Sequence, residues 1–394
     1  MGIYLNNAAT SWPKPEVVPG AIYDFITGGG ANLARGAAAK RDLGTMDMVI
    51  CCREKISEMF GGYSNCDPRY VTFTSNITES LNVVLKGYLK KGMKVITSSM
   101  EHNASMRPLR RLESNGIIDL DVIECDIEGV LKTEKLRKAM EEKEYDLMVF
   151  THASNICGTV QDLPAISSLC NEFKVPLVLD TAQTGGIIPV HAEKLNIAAL
   201  CFTGHKGLMG PQGMGGIVWK PDFAEKVDCF IEGGTGSFSH LEFQPETMPD
   251  KFEAGTPNLP GIAGLLAATE WVQKETPEVI HARERELGEK LLEGLKGLAG
   301  VELAGKITMQ DRLPVFPVNF KDHDHAEIAA LLAEDYGIET RPGLHCAPTA
   351  HKTIGTWEYG GAMRISPGYF NTEKEIDSCL VALEEILSLP QKTR

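Results

Sequence analysis

The chain has 394 residues, of which 43% are hydrophobic, and a formal net charge of −14. This length and apolar content predict two or three domains with a substantial core. The acidic balance argues against a general nucleic-acid binder, which would present a basic face, and suits an enzyme that acts on small metabolites.

The amino terminus, MGIYLNNAATSWPKP, has neither the basic region nor the apolar region of a secretory signal. No apolar run is long enough to span a bilayer. The ten cysteines are scattered without a C-x-x-C pair, so their spacing indicates neither a zinc site nor a redox pair. We therefore expect a cytoplasmic protein without a metal, membrane or nucleic-acid partner, whose cysteines are mostly small buried side chains.

Short apolar runs alternate with helical patterns along the first two-thirds of the chain. The runs that predict buried strands are residues 70–74, 94–97, 146–151, 176–180 and 198–202. Helical faces follow the first run over residues 81–89 and separate the third run from the fourth over 163–173. This alternation predicts a mostly parallel sheet with helices on both faces, to which residues 217–219 are expected to add an edge strand.

The last third of the chain begins with residues 220–260, which are rich in glycine and proline and predict loops and an interface. A helical region, 261–299, leads into a smaller unit whose first strand is expected over 313–320. The last helix is expected to start at a capping box from Thr372 to Glu375.

Polar side chains collect where each of the five predicted strands ends. In an open parallel sheet the carboxyl ends of the strands meet at one edge, where ligands bind. We therefore expect these groups to share one rim. In strand order they are Ser75, Asn76, Thr78 and Glu79, with Ile77 between them contributing only its backbone; Glu101, His102 and Asn103; His152 and Asn155; Asp180 and Gln183; and Thr203, His205 and Lys206.

The first and last of these strand ends predict a phosphate site. Ile77 and Thr78 are expected to open a helix, and free backbone N–H groups at a helix start bind anions. The hydroxyl of Thr203 and the imidazole of His205 are expected to complete the site. The plainer alternative is that this first strand end does no more than cap the helix.

Asp180 and Lys206 predict the rest of the ligand. A carboxylate on a buried strand end is costly unless a positive group pairs with it, and a protonated pyridine nitrogen would do so. Lys206 suits imine formation with an aldehyde in a partly desolvated pocket, and His102 suits stacking on an aromatic ring. Phosphate, pyridinium and aldehyde together describe pyridoxal 5′-phosphate (PLP). A lone G-H-K motif is weak, so the inference depends on the agreement of the strand ends.

The order of the sequence motifs resembles the class V aminotransferase group of fold-type I PLP enzymes, and within it the cysteine desulfurases and selenocysteine lyases. The motifs cover nearly the whole chain: YLNNAATS at 4–11, EHNAS at 101–105, THASNICGTV at 151–160, DTAQTGG at 180–186, TGHKGLMGP at 203–211, FEAGTPN at 252–258, RPGLHCAP at 341–348 and RISPGYFNT at 364–372. The resemblance implies an α/β fold with a mainly parallel seven-stranded sheet in a large PLP-binding domain, residues 15–260. It also implies a smaller α+β domain over 261–394, which the segment 1–14 joins, and a homodimer with shared active sites.

The resemblance implies a role for each residue of the rim. Lys206 is implied to be the Schiff-base lysine, Asp180 the partner of the pyridine nitrogen, and His102 the residue that stacks on the ring and shuttles protons. The remaining implied roles are the ring oxygen for Gln183 and Asn155; the phosphate for Ile77, Thr78, Thr203 and His205; the partner subunit's phosphate for Thr256; and the substrate carboxylate for Arg364, with Asn155 and Arg341.

Cys346 is implied to be the desulfurase nucleophile, which takes sulfur from L-cysteine, becomes a persulfide and passes the sulfur to an acceptor protein. Such a cysteine needs a lowered pKa, and we expect His345 and Arg341 to supply the positive charge. The alternative is a buried structural cysteine, against which its polar, turn-forming neighbours argue. A selenocysteine lyase, another carbon–sulfur lyase and a class V aminotransferase are the alternative functions. A non-catalytic PLP-binding protein is disfavoured by the intact Lys206, Asp180 and His102.

Three features depart from the family pattern. Leu344 stands where a histidine is usual, and Asn6 stands where an aspartate is usual. The stretch NLARGAAAKRD, residues 32–42, lacks the histidines that many relatives carry around its Arg-Gly. These departures leave open the choice between sulfur and selenium and the identity of the acceptor.

Overall fold

The computed structural model describes residues 2–33 and 39–388. The strands are β1 (Ile3–Tyr4), β2 (Val71–Thr74), β3 (Met93–Ser98), β4 (Ile118–Ile123), β5 (Leu147–Thr151), β6 (Leu177–Asp180), β7 (Ala199–Thr203), β8 (Gly215–Trp219), β9 (Val301–Leu303), β10 (Phe316–Phe320), β11 (Ile338–Glu339), β12 (Arg341–Gly343) and β13 (Ala362–Ile365). The helices are α1 (Val17–Asp24), α2 (Lys40–Met59), α3 (Tyr63–Cys66), α4 (Ile77–Tyr88), α5 (Asn103–Ser114), α6 (Thr133–Glu142), α7 (Leu163–Glu172), α8 (Pro221–Ala224), α9 (Leu259–Glu275), α10 (Pro277–Gly297), α11 (His325–Asp335), α12 (Pro348–Thr353) and α13 (Glu373–Ser388).

The largest sheet has seven strands in the order β2-β8-β7-β6-β5-β3-β4. Strand β8 runs antiparallel to both of its neighbours, and every other pair is parallel. The mainly parallel α/β fold is therefore confirmed. The five strands predicted from apolar runs are all present, and their carboxyl ends lie on one edge of the sheet.

The prediction of an edge strand over residues 217–219 is wrong. These residues lie in β8, which pairs with β7 on one side and with β2 on the other. After the turn that contains Lys206 the chain reverses direction, so β7 and β8 form an antiparallel hairpin. The earlier strand β2 pairs with the other side of β8. The sheet edges are β2 and β4. Strand β4 is not among the predicted strands, although it has the alternating apolar pattern I-D-L-D-V-I.

Helices cover both faces of this sheet, which explains why the strands read as continuous apolar runs. One face packs against α2, α6, α7 and α9, through side chains such as Ile56, Ile166 and Ile262. The opposite face packs against α4, α5 and α8, with Leu81 and Leu109 among its buried residues. The predicted helical face over residues 81–89 is therefore confirmed.

A second, antiparallel sheet has the strand order β12-β13-β10-β9 and packs against α10, α11 and α13. The amino-terminal strand β1 pairs with β11, with Ile3 opposite Ile338. The expected capping box is present at the start of α13, because the Thr372 N–H donates to Glu375 over 2.7 Å and the Glu375 N–H donates to the Thr372 hydroxyl over 3.3 Å. The division of the chain into domains at residue 260 stays a prediction.

The two sheets meet at the rim of the larger one. The amino-terminal segment contacts the end of β13, where the Asn7 N–H donates to the Ser366 carbonyl over 3.0 Å. The Arg364 guanidinium, on β13, donates to the Asn155 carbonyl of the rim over 2.9 Å. Within the described residues, no helix is long and apolar enough to cross a membrane. The departure in NLARGAAAKRD lies partly outside the described residues, since 34–38 are not among them.

Candidate active site

Lys206 lies on a tight turn just beyond the end of β7. The Met209 N–H and the Ser11 hydroxyl both donate to the Lys206 carbonyl, each over 2.8 Å. The next residue must be glycine, because a Cβ on Gly207 would lie 2.5 Å from the Gly185 carbonyl oxygen. The turn is therefore packed tightly against the chain that follows β6, and it holds Lys206 in one place.

The Lys206 side chain is half-buried, and among the described residues no group forms a hydrogen bond with its Nζ. Burial lowers the pKa of Lys206 to about 8, the positive charge of Arg364 lowers it further, and Asp180 acts in the opposite direction. The neutral share of this amine near pH 7 is therefore far larger than that of an ordinary lysine, which a nucleophilic lysine requires.

Asp180 ends β6 with only 2% of its surface exposed. One carboxylate oxygen accepts a 2.8 Å hydrogen bond from the Ala182 N–H. Burial raises the pKa of Asp180, and the nearby charge of Lys206 partly offsets the rise. Because no ion pair with Asp180 occurs among the described residues, this buried carboxylate has the capacity to pair with a cationic ligand.

His102 is the N-cap of α5, and its Nδ1 accepts a 3.0 Å hydrogen bond from the Ala104 N–H. That bond assigns the ring proton to Nε2 in the neutral imidazole. Burial, reinforced by the charges of Lys206 and Arg341, lowers the pKa of His102 to about 4. His102 is therefore neutral near pH 7, with a defined tautomer.

The start of α4 presents unused backbone donors. Asn76 caps the helix by accepting a 3.0 Å hydrogen bond from the Glu79 N–H. The N–H groups of Ile77 and Thr78 have no acceptor among the described residues. Free N–H groups at the positive end of a twelve-residue helix form an anion site.

Two buried polar atoms beside β7 also have no hydrogen-bond partner within the described part of the chain. They are the hydroxyl oxygen of Thr203 and Nδ1 of His205. Burial lowers the pKa of His205 to about 4, with a further contribution from Lys206, so the ring is neutral. Buried polar atoms without partners are rare in native proteins and point to a bound group that satisfies them.

Glycine at position 215 permits the approach of β8 to this helix start. A Cβ on Gly215 would lie 2.7 Å from the Asn76 carbonyl carbon and 2.9 Å from the Phe202 carbonyl oxygen. Only glycine fits the first residue of β8 between β2 and β7 at the rim. Gly215 is not among the residues predicted for the site, although the G-M-G-G run marks a close backbone approach.

Gln183 and Asn155 lie at the same rim, and each donates one hydrogen bond within the protein. The Gln183 amide donates to the Ala8 carbonyl over 3.2 Å, and the Asn155 amide donates to the His345 carbonyl over 2.8 Å. A side-chain amide has two N–H groups, so each residue keeps one for a ligand. Their contact with a ring oxygen stays a prediction.

Arg364 is a buried cation with no carboxylate partner among the described residues. Its side chain donates to the Asn155 carbonyl and to the Asn6 side chain, both over 2.9 Å, and its Nε has no partner there. Burial, with the nearby charge of Arg341, lowers the pKa of Arg364 to about 9. The asparagine at position 6 affects the charge of Arg364. Its neutral amide leaves the guanidinium charge free for a ligand, whereas an aspartate would neutralise that charge.

Cys346 alone is exposed among the ten cysteines, all of which lie in the described part of the chain. Its loop is fixed to the rim through two backbone carbonyls, those of Cys346 and His345. The first accepts a 2.7 Å hydrogen bond from the Asn103 N–H, and the second accepts the bond from Asn155. The alternative of a buried structural cysteine is therefore wrong for this position.

The expectation that a charged His345 activates the thiol is also wrong. His345 is buried, and burial together with the charge of Arg364 lowers its pKa to about 2. Its Nε2 lies 2.7 Å from the Arg341 carbonyl, which only accepts, so Nε2 carries a proton and donates there, and the lowered pKa leaves the ring neutral. Arg341 itself is exposed on β12, directly opposite Arg364 in the antiparallel pair.

Thr256 lies on an exposed loop between the turn Asp250–Phe252 and α9, and no hydrogen bond of its side chain occurs among the described residues. Its role in the partner subunit's site stays a prediction. Among the described residues, no group of three or more His, Cys, Asp or Glu side chains is arranged to hold a metal ion.

The chain is similar to known proteins over nearly its whole length. The sequence profile of the Aminotransferase class-V family matches residues 3–379. A probable cysteine desulfurase of Methanothermobacter thermautotrophicus is 30% identical over 393 residues, which are 98% of this chain and 95% of the relative. A cysteine desulfurase of Cronobacter sakazakii is also 30% identical, over 97% of this chain and 93% of the relative.

The fold is also shared with solved structures. The apo structure of a cysteine desulfurase from Thermococcus onnurineus superposes with a TM-score of 0.90 at 28% identity, covering 98% of this chain and 94% of the other. The cysteine desulfurase CsdA of Escherichia coli superposes with a TM-score of 0.86 at 26% identity, with the same coverage. The members of this family are PLP-dependent. The chain belongs to the class V aminotransferase family.

Proposed function

We propose that this protein is a PLP-dependent cysteine desulfurase, which converts L-cysteine into L-alanine and carries the sulfur as a persulfide on Cys346. The single observation that carries the proposal is the exposed thiol of Cys346 on a loop hydrogen-bonded to the rim at Asn103 and Asn155. The names of the relatives support the same activity.

The unsatisfied groups of the rim fit the cofactor. The phosphate would accept hydrogen bonds from the N–H groups of Ile77 and Thr78 and from Thr203 and His205, whose buried polar atoms have no protein partner in the described chain. When bound, PLP supplies an electron sink for the bonds around the substrate's α-carbon.

Three further residues would hold the ring. Asp180 would pair with the pyridine nitrogen, since its carboxylate is buried without an ion pair among the described residues. Neutral His102 would lie flat on the ring, and Lys206 would bond to the aldehyde carbon. The remaining N–H groups of Gln183 and Asn155 are left to bind the ring oxygen.

The substrate's carboxylate would bind to Arg364. This side chain is positive, 1% exposed and without a carboxylate partner within the described residues, so a carboxylate ligand offsets the cost of burying its charge. Arg341, opposite it on β12, adds a second positive charge at the mouth of the site. Proton movements at the substrate would use Nζ of Lys206 and Nε2 of His102.

The sulfur chemistry would take place at Cys346. Its sulfur attacks the sulfur of the bound cysteine, the substrate's carbon–sulfur bond breaks, and the carbon takes up a proton. L-Cysteine and the enzyme thiol thereby give L-alanine and the enzyme persulfide, with the carbon reduced and the sulfur oxidised. An acceptor protein's thiol then takes the outer sulfur and regenerates the Cys346 thiol.

Two partners follow from this proposal. One is a second copy of the chain, because Thr256 is exposed on a loop without partners among the described residues and would reach the neighbouring phosphate site. The other is the sulfur acceptor, which must approach Cys346 from solvent. We also propose a cytoplasmic location, where thiols stay reduced.

The test mixes the pure protein, loaded with PLP, with L-cysteine and no keto acid, with and without a dithiol reductant. We expect about one equivalent of alanine per site without reductant. With reductant, alanine and sulfide should form continuously. Pyruvate and sulfide in place of alanine would indicate a carbon–sulfur lyase, and a requirement for a keto acid would indicate an aminotransferase.

A further inference from the structure

Beneath the Cys346 loop, three buried side chains form a row of hydrogen bonds. They are His345, His351 on α12, and Thr356 in the loop before β13. We propose that His351 and Thr356 are positioning residues, which hold the turn containing Cys346 in the conformation from which its thiol reacts. This inference rests on the proposed function, in which the Cys346 thiol is the nucleophile.

The hydrogen bonds of the row are all donated in the same direction, which is set by the final acceptor. The Arg341 carbonyl only accepts, so Nε2 of His345, 2.7 Å away, carries the proton. Nδ1 of the neutral His345 is then an acceptor, and Nε2 of His351 lies 3.4 Å from it, with the Leu344 backbone as a second hydrogen-bond partner of the His351 ring. Nδ1 of His351 is left as an acceptor for the Thr356 hydroxyl, at 2.6 Å, which is much closer than the other acceptor of that hydroxyl, the His351 carbonyl at 3.4 Å. Thr356 is thus the first donor of the row.

Burial keeps the row neutral and rigid. His351 has no exposed surface, and the two imidazole rings are stacked with centroids 5.5 Å apart and planes inclined by 26°. Burial lowers the pKa of both histidines, to about 2 for His345 and about 4 for His351. Both rings therefore stay in the neutral form that the direction of the row requires.

The turn above the row needs support. His345 and Cys346 both have left-handed backbone conformations, with φ of 46° and 58°. Residues with a Cβ rarely adopt this conformation, and it persists only where the surroundings hold it. From the rim, Asn103 and Asn155 hold the backbone carbonyls of the turn. From below, the row holds the His345 side chain, so the turn is fixed on both sides.

The chain offers a matched pair of threonines for a test. Thr356→Val removes the first donor without changing the size of the side chain, and Thr356→Ser keeps the donor. Thr349→Val is the control, because the Thr349 hydroxyl is buried on the same helix as His351 and has no partner among the described residues. His351→Phe keeps an aromatic ring of similar size and removes the hydrogen bonds that the His351 ring makes with His345 and Thr356.

Each variant is assayed on L-cysteine and on β-chloro-L-alanine, which has the same amine and carboxylate but whose chloride leaves without attack by a thiol. With Thr356→Val and His351→Phe, we expect kcat for alanine formation from cysteine to fall by roughly ten- to a hundredfold. KM for cysteine and turnover of β-chloro-L-alanine should stay near wild type. Thr356→Ser should restore kcat, and Thr349→Val should resemble wild type.

Two results would overturn the inference. One is wild-type kcat on cysteine in both Thr356→Val and His351→Phe. The other is an equal loss of β-chloro-L-alanine turnover, since that would mean general damage to the site rather than misplacement of Cys346.

Amide hydrogen exchange over residues 341–347 gives a readout that does not depend on the reaction. Exchange there should be faster in Thr356→Val than in wild type, and unchanged in Thr349→Val. If the wild-type protein forms no alanine from cysteine, the proposed function fails. Unchanged exchange in Thr356→Val would then still refute the positioning role, and faster exchange would support it.

Discussion

The carbonyl oxygen of Cys346 accepts a 2.7 Å hydrogen bond from the backbone N–H of Asn103, the first residue of α5. The residue before Asn103 is His102, which caps the same helix at the rim of the large sheet. This backbone hydrogen bond therefore holds the backbone of Cys346, which carries the exposed thiol, next to the elements that would bind the cofactor. The reaction proposed here depends on that arrangement.

Lys206 should take up PLP with a pH dependence set by its lowered pKa. The neutral amine attacks the aldehyde, and its pKa is about 8 instead of the ordinary 10.5. The rate of cofactor uptake by the apoprotein should therefore rise from about pH 7 to about pH 9 and then level off. Stopped-flow absorbance measures the rate, and borohydride reduction followed by peptide mapping should place the pyridoxyl group on Lys206. A label on a different lysine would exclude the assignment.

Asp180→Asn should keep the fold and the cofactor but disable the chemistry. A neutral amide of the same size does not stabilise a protonated pyridine nitrogen. We expect kcat for alanine formation to fall by about 100-fold or more, as for removal of one preorganised electrostatic partner. Steady-state assays at equal PLP content measure the effect. Near-normal turnover would mean that Asp180 does not face the ring.

Thr203→Val should weaken PLP binding without harming the apoprotein, because the Thr203 hydroxyl has no partner among the described residues. Loss of one hydrogen bond to a charged phosphate should raise the Kd for PLP roughly tenfold. Titration of the apoprotein measures the Kd. The control is Thr97→Val on β3, whose hydroxyl donates to the Val149 carbonyl over 2.8 Å. The control should lower the free energy of unfolding and leave the Kd near wild type.

The active species should be a dimer. The segment before the Thr256 loop carries five exposed apolar side chains, Phe230, Ile231, Phe238, Leu241 and Phe243, the last 86% exposed. Exposed apolar side chains concentrated in one segment are expected at an interaction surface. Phe243→Glu should shift sedimentation toward the monomer and reduce activity, whereas Ile307→Glu, at another exposed apolar residue, should change neither. Full activity in a strict monomer would refute the shared-site proposal.

The strands and the rim were predictable because their signals are local. Apolar runs such as the one before Thr203, and the polar residues that follow each run, reflect burial on both faces of a sheet and exposure at its edge. The capping box at Thr372 is local in the same way. These features depend on neighbours in the sequence, so a single sequence reveals them.

Other features depend on distant parts of the chain. The position of β8 between β7 and β2 follows from strand pairing, which its own residues do not encode. The neutrality of His345 follows from its burial in the folded chain, so its place next to Cys346 in the sequence was misleading. The contact between His351 and His345 joins residues only six positions apart, but it depends on the turn and the short helix α12 between them, which no periodic pattern in the sequence marks.

The persulfide on Cys346 is the central claim, and the variant Cys346→Ala tests it most directly. The variant should still bind PLP and cysteine, because Lys206, Asp180 and Arg364 are unchanged. The measurement is the rate of alanine release from L-cysteine, compared with turnover of L-selenocysteine and of an amino donor with a keto acid. We predict that alanine release from cysteine nearly stops, while selenocysteine is partly spared because selenium leaves more readily. Full cysteine turnover in Cys346→Ala would contradict the persulfide mechanism and favour a lyase or an aminotransferase.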